Sequence, residues 1–263
     1  MNKHNYIGID TSLSSTGMYI LTTENKEFYF NYKNTSKLSK WHKVLSFVKY
    51  TSYDNIKTDE YGTTEIAKLL NYDNITNKMI EDIKSSLTEE QIENTIVITE
   101  GYSYSSSNTS SLIDLISYAT MLRIKILHMN ILDFIIKPPS TLKMETGATT
   151  YEPDVKEVGG KNPRTEYSFK NKIGLSAGSF QKHDMFDALY DNEKININLK
   201  KSLLEHKVDI LKMKSIPAPL SDIVDAVFLV YTEVLKTEKI KYMLDNTPSA
   251  HVKRKKKENK KKK

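Results

Sequence analysis

Tyr6-Ile7-Gly8-Ile9-Asp10-Thr11-Ser12-Leu13-Ser14-Ser15-Thr16-Gly17-Met18 is the stretch on which the reading of this chain turns. An apolar strand runs into one carboxylate, Asp10. A turn of small residues follows, and a second apolar strand, 17–22, leads away from it. A carboxylate at the end of a buried strand is costly unless something pairs with it. The later residues that could come to Asp10 therefore decide what the chain does.

Working outward, 28–32 reads as a third strand, joined to the second by the polar turn Thr23-Glu24-Asn25-Lys26. Such short connections favour an antiparallel meander. The run Thr95-Ile96-Val97-Ile98-Thr99 suits a strand buried on both faces, and it too ends in a carboxylate, Glu100. Helical spacing marks 73–87, 110–126 and 195–211, with shorter helix starts at 41–48 and 181–190. A strand over 131–136 stops at Pro138-Pro139. The last strong helix, 222–235, is largely apolar, with Ser221 as its expected N-cap and Asp222 and Asp225 at its start. Two polar stretches, 33–72 and 145–180, read as insertions into one domain spanning 1–240.

The 263 residues include no cysteine, which excludes structural disulfides and Cys-based zinc sites. No run approaches the roughly 20 apolar residues of a membrane span, and no signal peptide is visible, so the expected setting is the cytoplasm. The net charge of +6 is a property of the tail. Residues 253–263 hold nine Lys or Arg and one Glu, +8, so the remainder carries −2. Such a block is expected to be disordered, over about 241–263, and suits a polyanionic partner.

Asp10, Glu100, Asp222 and Asp225 share a setting, each at the end of an apolar element. Residues i and i+3 on a helix share a face, so Asp222 and Asp225 can point to one spot. Singly, each has a plain explanation as a cap, a turn former or a strand-end residue. Four gathered carboxylates repel and need a cation between them. An all-oxygen set without Cys or His favours Mg²⁺ or Mn²⁺. Two such ions about 4 Å apart would clamp the attacking and leaving oxygens of a phosphodiester, so the expected reaction is metal-dependent hydrolysis of a nucleic-acid backbone.

Four stretches in this order resemble the RuvC-type Holliday junction resolvases of the ribonuclease H-like superfamily, particularly those of bacteriophages and large DNA viruses. They are Ile7-Gly-Ile-Asp-Thr-Ser-Leu-Ser-Ser-Thr-Gly17, Ile96-Val-Ile-Thr-Glu-Gly-Tyr102, Pro139-Ser-Thr-Leu-Lys143 with Gln181-Lys-His-Asp-Met185, and Ser221-Asp-Ile-Val-Asp-Ala226. The resemblance implies an α/β fold with a mixed five-stranded sheet flanked by helices. It implies that Asp10, Glu100, Asp222 and Asp225 hold the metals, and that Lys143 and Lys182 contact phosphate or stabilise the transition state. Tyr102 and Tyr104 stand where relatives place an aromatic that stacks on bases. A homodimer acting on branched DNA is also implied.

Two other functions share parts of the pattern. A nuclease for RNA–DNA hybrids would use the same four acids. An ATP-binding kinase of the actin or sugar-kinase superfold also begins with strand, Gly-Ile-Asp and a Ser/Thr-rich turn, but needs a second lobe and a second nucleotide loop, and the first motif is not repeated.

Overall fold

The computed structural model describes residues 3–34, 39–53, 60–102, 109–159 and 164–247. In chain order the elements begin with β1 (Asn5–Asp10), β2 (Ser15–Leu21), β3 (Glu27–Lys33), α1 (Lys40–Val44), β4 (Lys49–Ser52), α2 (Tyr61–Ser86) and α3 (Glu89–Glu93). Then come β5 (Thr95–Glu100), α4 (Thr109–Leu127), β6 (Asp133–Lys137), α5 (Pro139–Thr150), β7 (Pro153–Val158) and β8 (Arg164–Phe169). A 3₁₀ turn (Ala177–Ser179) leads to α6 (Lys182–Asp191), α7 (Asn198–Leu204), α8 (Lys207–Leu211), α9 (Leu220–Val234) and α10 (Glu238–Asp245).

The first three strands form the expected antiparallel meander, with Asn25 in the left-handed region at the β2–β3 turn. β5 and β6 extend the sheet from β1 as parallel strands. The sheet has six strands rather than the expected five, in the order β4-β3-β2-β1-β5-β6. The extra one, β4, pairs parallel to β3 at the edge. It is four residues long and carries no buried side chain, so no alternating pattern marks it.

Period-two alternation sorts the side chains to the two faces of the sheet. Ile7, Ile9, Met18, Ile20 and Val97 pack with Tyr72, Met79, Ile83, Tyr118 and Leu122 of α2 and α4. Tyr19, Leu21 and Ile98 pack on the other face with α9, α5 and α6. α9 is buried along nearly its whole length. It lies very close to the sheet because two strand residues facing it are glycines. A Cβ on Gly8 would meet the Ala226 carbonyl oxygen at 2.1 Å, and one on Gly17 would meet that of Asp222 at 2.3 Å.

The stretch read as an insertion over 33–72 contains α1, β4 and the first turns of α2, a helix that starts well before residue 73. Those first turns are mostly exposed, which removes the apolar period. Ahead of the 145–180 stretch, the prolines that end β6 also begin α5, which runs into it, with Pro139 inside the helix's first turn, where a missing N–H costs nothing. α5 buries Leu142 near its start, and beyond it mostly small residues, Thr146, Gly147, Ala148 and Thr149. It is followed by the β7–β8 hairpin, paired from Pro153–Phe169 to Val158–Arg164. The hairpin's base is closed where Gly147 meets Ala177, with room for no Cβ at Gly147, and Phe169 is fully buried there. The expected helix over 195–211 is two short ones, α7 and α8. α10 keeps the chain helical to Asp245, and residues 248–263, the basic tail among them, lie outside the described residues.

Candidate active site

Asp10 and Glu100 are the last residues of two adjacent parallel strands, one step beyond the Ile9–Thr99 pair. Both alternate onto the α9 face, in phase with Gly8 and Ile98. α9 enters over this end of the sheet, with Asp222 in its first turn and Asp225 three residues on. Ser221 is not the N-cap; it lies inside the helix, and its hydroxyl donates to Asp222 Oδ1 at 2.9 Å. Asp10, Asp222 and Asp225 are each less than a tenth exposed.

The four acids lie in one another's fields. Burial pushes the Asp10 carboxyl well above the usual carboxylate range, and the charges of Glu100 and Asp225 push it further; Lys182 pulls it back, and Asp222 adds a smaller rise. Glu100 is raised by burial and by Asp225, against the opposing pull of Asp10's hydrogen bond, Lys182 and Lys143. Asp222 is raised by burial too, opposed by the Ser15 hydroxyl, Lys182 and Ser221. Each of these shifts records the cost of a carboxylate with too little water and too many like neighbours.

The cation that answers this charge is Lys182, whose ammonium is ion-paired with Asp225 Oδ2. Lost water works against its charge, but Asp225, Asp10 and Asp222 outweigh that and hold it protonated. Half of the Lys182 side chain remains exposed, so the pair is open to solvent. Lys143, half-buried on α5, also lies in the field of Glu100 and pulls its pKa down. Nothing about two isolated lysines marks them in a sequence, yet the fold brings both to the acids.

Tyr102 follows β5 directly and is half-buried. Its hydroxyl lies 3.2 Å from Thr120 Oγ1, and the Arg123 guanidinium sits over one face of its ring, 4.4 Å from the centroid. Arg123 also donates to the Glu100 carbonyl at 2.9 Å, tying the end of β5 to α4. Tyr104 lies outside the described residues. Sequence reasoning passed over Arg123 as part of an apolar stripe. It also passed over Asn31, although Phe28-Tyr29-Phe30-Asn31-Tyr32 puts a lone amide on the α9 face in register with Gly17.

The donor set fits a hard divalent cation. All donors are carboxylate oxygens, and Asp222 Oδ2 is buried without a hydrogen-bond partner. Among the described residues, no three acids stand close enough together to enclose an ion as they are; the ammonium of Lys182 is the counter-charge they now have.

Three antiparallel strands lead into two parallel ones, with acids at the ends of the first and of its parallel neighbour and on the last long helix. The chain has a ribonuclease H-like fold. No protein-family model matches the sequence, and no curated protein matches it significantly. Among solved structures, the yeast mitochondrial Holliday junction resolvase Ydc2 is similar at a TM-score of 0.47 and 10% identity, covering 92% of this chain and 82% of that one. Thermus thermophilus RuvC is similar at a TM-score of 0.40 and 11% identity, covering 87% and 93%. RuvC from T. thermophilus in complex with a Holliday junction substrate gives 0.36 and 8%, covering 88% and 93%.

Proposed function

We propose that this protein is a divalent-metal-dependent endonuclease that nicks four-way or otherwise branched DNA. The observation that carries the reading is the convergence of Asp10, Glu100, Asp222 and Asp225 at one end of the sheet, with Lys182 and Lys143 facing them. Four gathered acids, three of them buried, are costly to the fold, and Asp10, Glu100 and Asp222 have raised pKa values; such clusters recur where chemistry requires them.

Asp10, Glu100, Asp222 and Asp225 would hold Mg²⁺ or Mn²⁺, two ions in the full site. When bound, the metal supplies an activated water and stabilises the departing 3′ oxygen. The chain's own residues do the remaining work. Asp222 Oδ2 offers an oxygen that no hydrogen bond occupies. Lys182, on a half-exposed arm, exchanges Asp225 for a phosphate oxygen and neutralises charge as it builds on the phosphorus. Lys143 steadies the phosphate from the Glu100 side. Arg123 holds the end of β5, so Glu100 keeps its place while DNA is engaged. Tyr102, with Arg123 against one ring face, and Tyr104 beside it in sequence are the aromatics proposed to stack on bases at the branch point.

The second subunit of a homodimer is proposed to sit on the outer face of α2 and α4. Ile66, Leu70 and Ile113 are more than half exposed there, and Lys68 bridges to Asp114 between the helices. The basic segment 253–263 would add non-specific attraction to the DNA backbone. A kinase reading has less to stand on, since among the described residues there is one large sheet and no second lobe.

The test is cleavage of a synthetic four-way junction, a linear duplex and an RNA–DNA hybrid in Mg²⁺, with Asp10→Asn alongside. Paired nicks on the junction that Asp10→Asn abolishes support the proposal. Equal cutting of linear duplex defeats junction selectivity, and preference for the hybrid moves the protein to the hybrid nucleases.

A further inference from the structure

Asp184 is buried in the first turn of α6, two residues after Lys182. Both of its oxygens are taken. Oδ2 accepts the Gln181 N–H at 2.8 Å, at the entrance to the helix, and Oδ1 accepts from Asn171 Nδ2 at 2.9 Å. Asn171 is buried as well, and its amide can face only one way. Its Oδ1 accepts the N–H groups of Ile173 at 3.2 Å and Leu175 at 2.9 Å, which leaves the nitrogen for Asp184. The loop 171–175 is thus folded about the Asn171 side chain, and the Lys170–Ser176 bridge closes it under the β7–β8 hairpin. Next to Lys182, His183 Nε2 donates to the Met213 carbonyl at 2.7 Å, so the same turn is also tied to the segment ahead of α9. An ordinary cap, a serine or threonine hydroxyl, would serve α6 without burying a carboxylate. What the Asn171–Asp184 pair adds is a fixed join between the start of α6 and the base of the hairpin.

We infer that Asn171 and Asp184 are positioning residues that fix the point from which Lys182 reaches the acids. The inference rests on the reading of Lys182 as the cation that meets the phosphate. A lysine arm is long and flexible, and half of this one is exposed, so its ammonium is placed chiefly by where its backbone stands. Gln181, whose N–H Asp184 holds, is the residue before Lys182, and from there the arm extends to Asp225 Oδ2. A shift of about 1 Å in a group that must meet a transition state can cost about 10²-fold in rate. The buried pair guards against that shift at the root of the arm, where the arm itself cannot.

The pair can be exchanged as well as broken. Asp184→Asn alone sets two amide nitrogens against each other, and Asn171→Asp alone sets two carboxylates against each other. Made together, they restore every bond: an oxygen for the Gln181 N–H, an oxygen for those of Ile173 and Leu175, and one N–H to oxygen contact between the two side chains. The test uses the full-length protein. It reads single-turnover junction cleavage in Mg²⁺ and, in EDTA without DNA, the rate at which acetic anhydride modifies Lys182, followed by peptide mapping. Each single variant is expected to cleave about 10–100-fold more slowly and to acetylate Lys182 faster, since an ammonium released from Asp225 loses its proton more readily. The double exchange should return both rates to the parent's. On a Lys182→Gln background the single variants should cost no further cleavage, a result that general loosening of the fold would not give. If Asp184→Asn does not fold, Asn171→Ala, which leaves the Gln181 bond in place, is carried through instead. Single variants with the parent's cleavage or acetylation rate, or with equal losses on the Lys182→Gln background, overturn the positioning role and leave the nuclease reading standing. A Lys182→Gln protein as fast as the parent overturns the role of Lys182 and the positioning with it. A parent that cuts no junction overturns all three.

Discussion

Gly17 lies directly against the main chain of Asp222: a methyl group on its α-carbon would sit 2.3 Å from the Asp222 carbonyl oxygen and 2.9 Å from the Ile223 nitrogen. These are backbone atoms of a buried helix and cannot swing aside. Gly17 is paired with Asp10 across β1 and β2. The glycine therefore sets how near an acid of the last helix comes to an acid of the first strand.

Gly17→Ala is expected to push α9 off the sheet and cost about 1–3 kcal/mol from overpacking. Its larger effect should be on Mg²⁺-dependent cleavage, which should fall further than the loss of folded protein explains. Gly62→Ala is the control, because nothing lies within 4 Å of the added carbon and the site is in the exposed start of α2. Chemical denaturation and junction cleavage measured on both variants would show the contrast. Full activity in Gly17→Ala would mean that the acid spacing does not depend on this contact.

Replacing Lys182 separates its two roles. With Lys182→Gln, the acids lose their resident counter-charge, so the metal-free protein should melt at a lower temperature and bind Mg²⁺ more tightly. Turnover on the junction should nevertheless drop about 10²-fold, since the cation proposed to meet the phosphate is gone. Metal titration and single-turnover kinetics read the two effects independently. Weaker metal binding in this variant would show that Lys182 supports the metal site instead of competing with it.

The acid cluster also fixes the direction of a pH dependence. Asp10, Glu100 and Asp222 all have folded-state pKa values above their ordinary ones, chiefly through burial. The folded protein thus holds protons there that the unfolded chain, with carboxylates titrating near pH 4, has released. Their contribution to stability is complete below that pH and is lost as pH rises through the folded values. Lys182, raised further from its already high value by the acids, stays charged and contributes unchanged across pH 5–8. Asp10→Asn should therefore stabilise the metal-free protein by about 1 kcal/mol or more at pH 8, and by less at pH 5. Paired denaturation curves in EDTA, parent minus variant, cancel the other titrating groups. A difference that shrinks toward pH 8 would contradict the shared burial of these acids.

On the same face of the sheet, Lys137 is almost fully buried between Glu145 at 2.5 Å, Glu233 at 2.7 Å and the Thr232 hydroxyl at 2.7 Å. Lys236 joins from outside, 2.6 Å from Glu145. The cluster fastens β6, α5 and the end of α9 to one another. Removing one partner of a buried pair leaves the others uncompensated and costs about 3–5 kcal/mol. Lys137→Met should show that loss by urea denaturation, and adding Glu145→Gln should return part of it. A single variant as stable as the parent would mean that Lys236 alone neutralises both glutamates.

The acids were legible because each one interrupts an apolar pattern, and a broken period is visible in one dimension. Asp10 and Glu100 end strands, and Asp222 and Asp225 punctuate an apolar helix. Lys143 and Lys182 interrupt nothing and are brought to the site only by the folded path of α5 and α6, so only a family resemblance singled them out. α5 was missed because beyond Leu142 it buries mostly small residues, with Gly147 close against Ala177 and Phe169, where closeness replaces hydrophobic bulk. β4 and the outer turns of α2 have few or no buried side chains and so leave no periodic trace.

The closed base of the β7–β8 hairpin has a consequence for how such a chain can change. Lys143 and Lys182 flank the hairpin in sequence, yet their relative placement is fixed beneath it, by Gly147 on Ala177, by buried Phe169 and by the Lys170–Ser176 bridge. Tyr167 ties the hairpin to the body, through its ring against Tyr242 and its N–H to the Asn246 carbonyl. Past the Val155–Tyr167 pair, the arm can be lengthened, shortened or exchanged without moving either lysine. It is a graft point: selection can remodel what the protein reaches for while Lys143 and Lys182 keep their spacing.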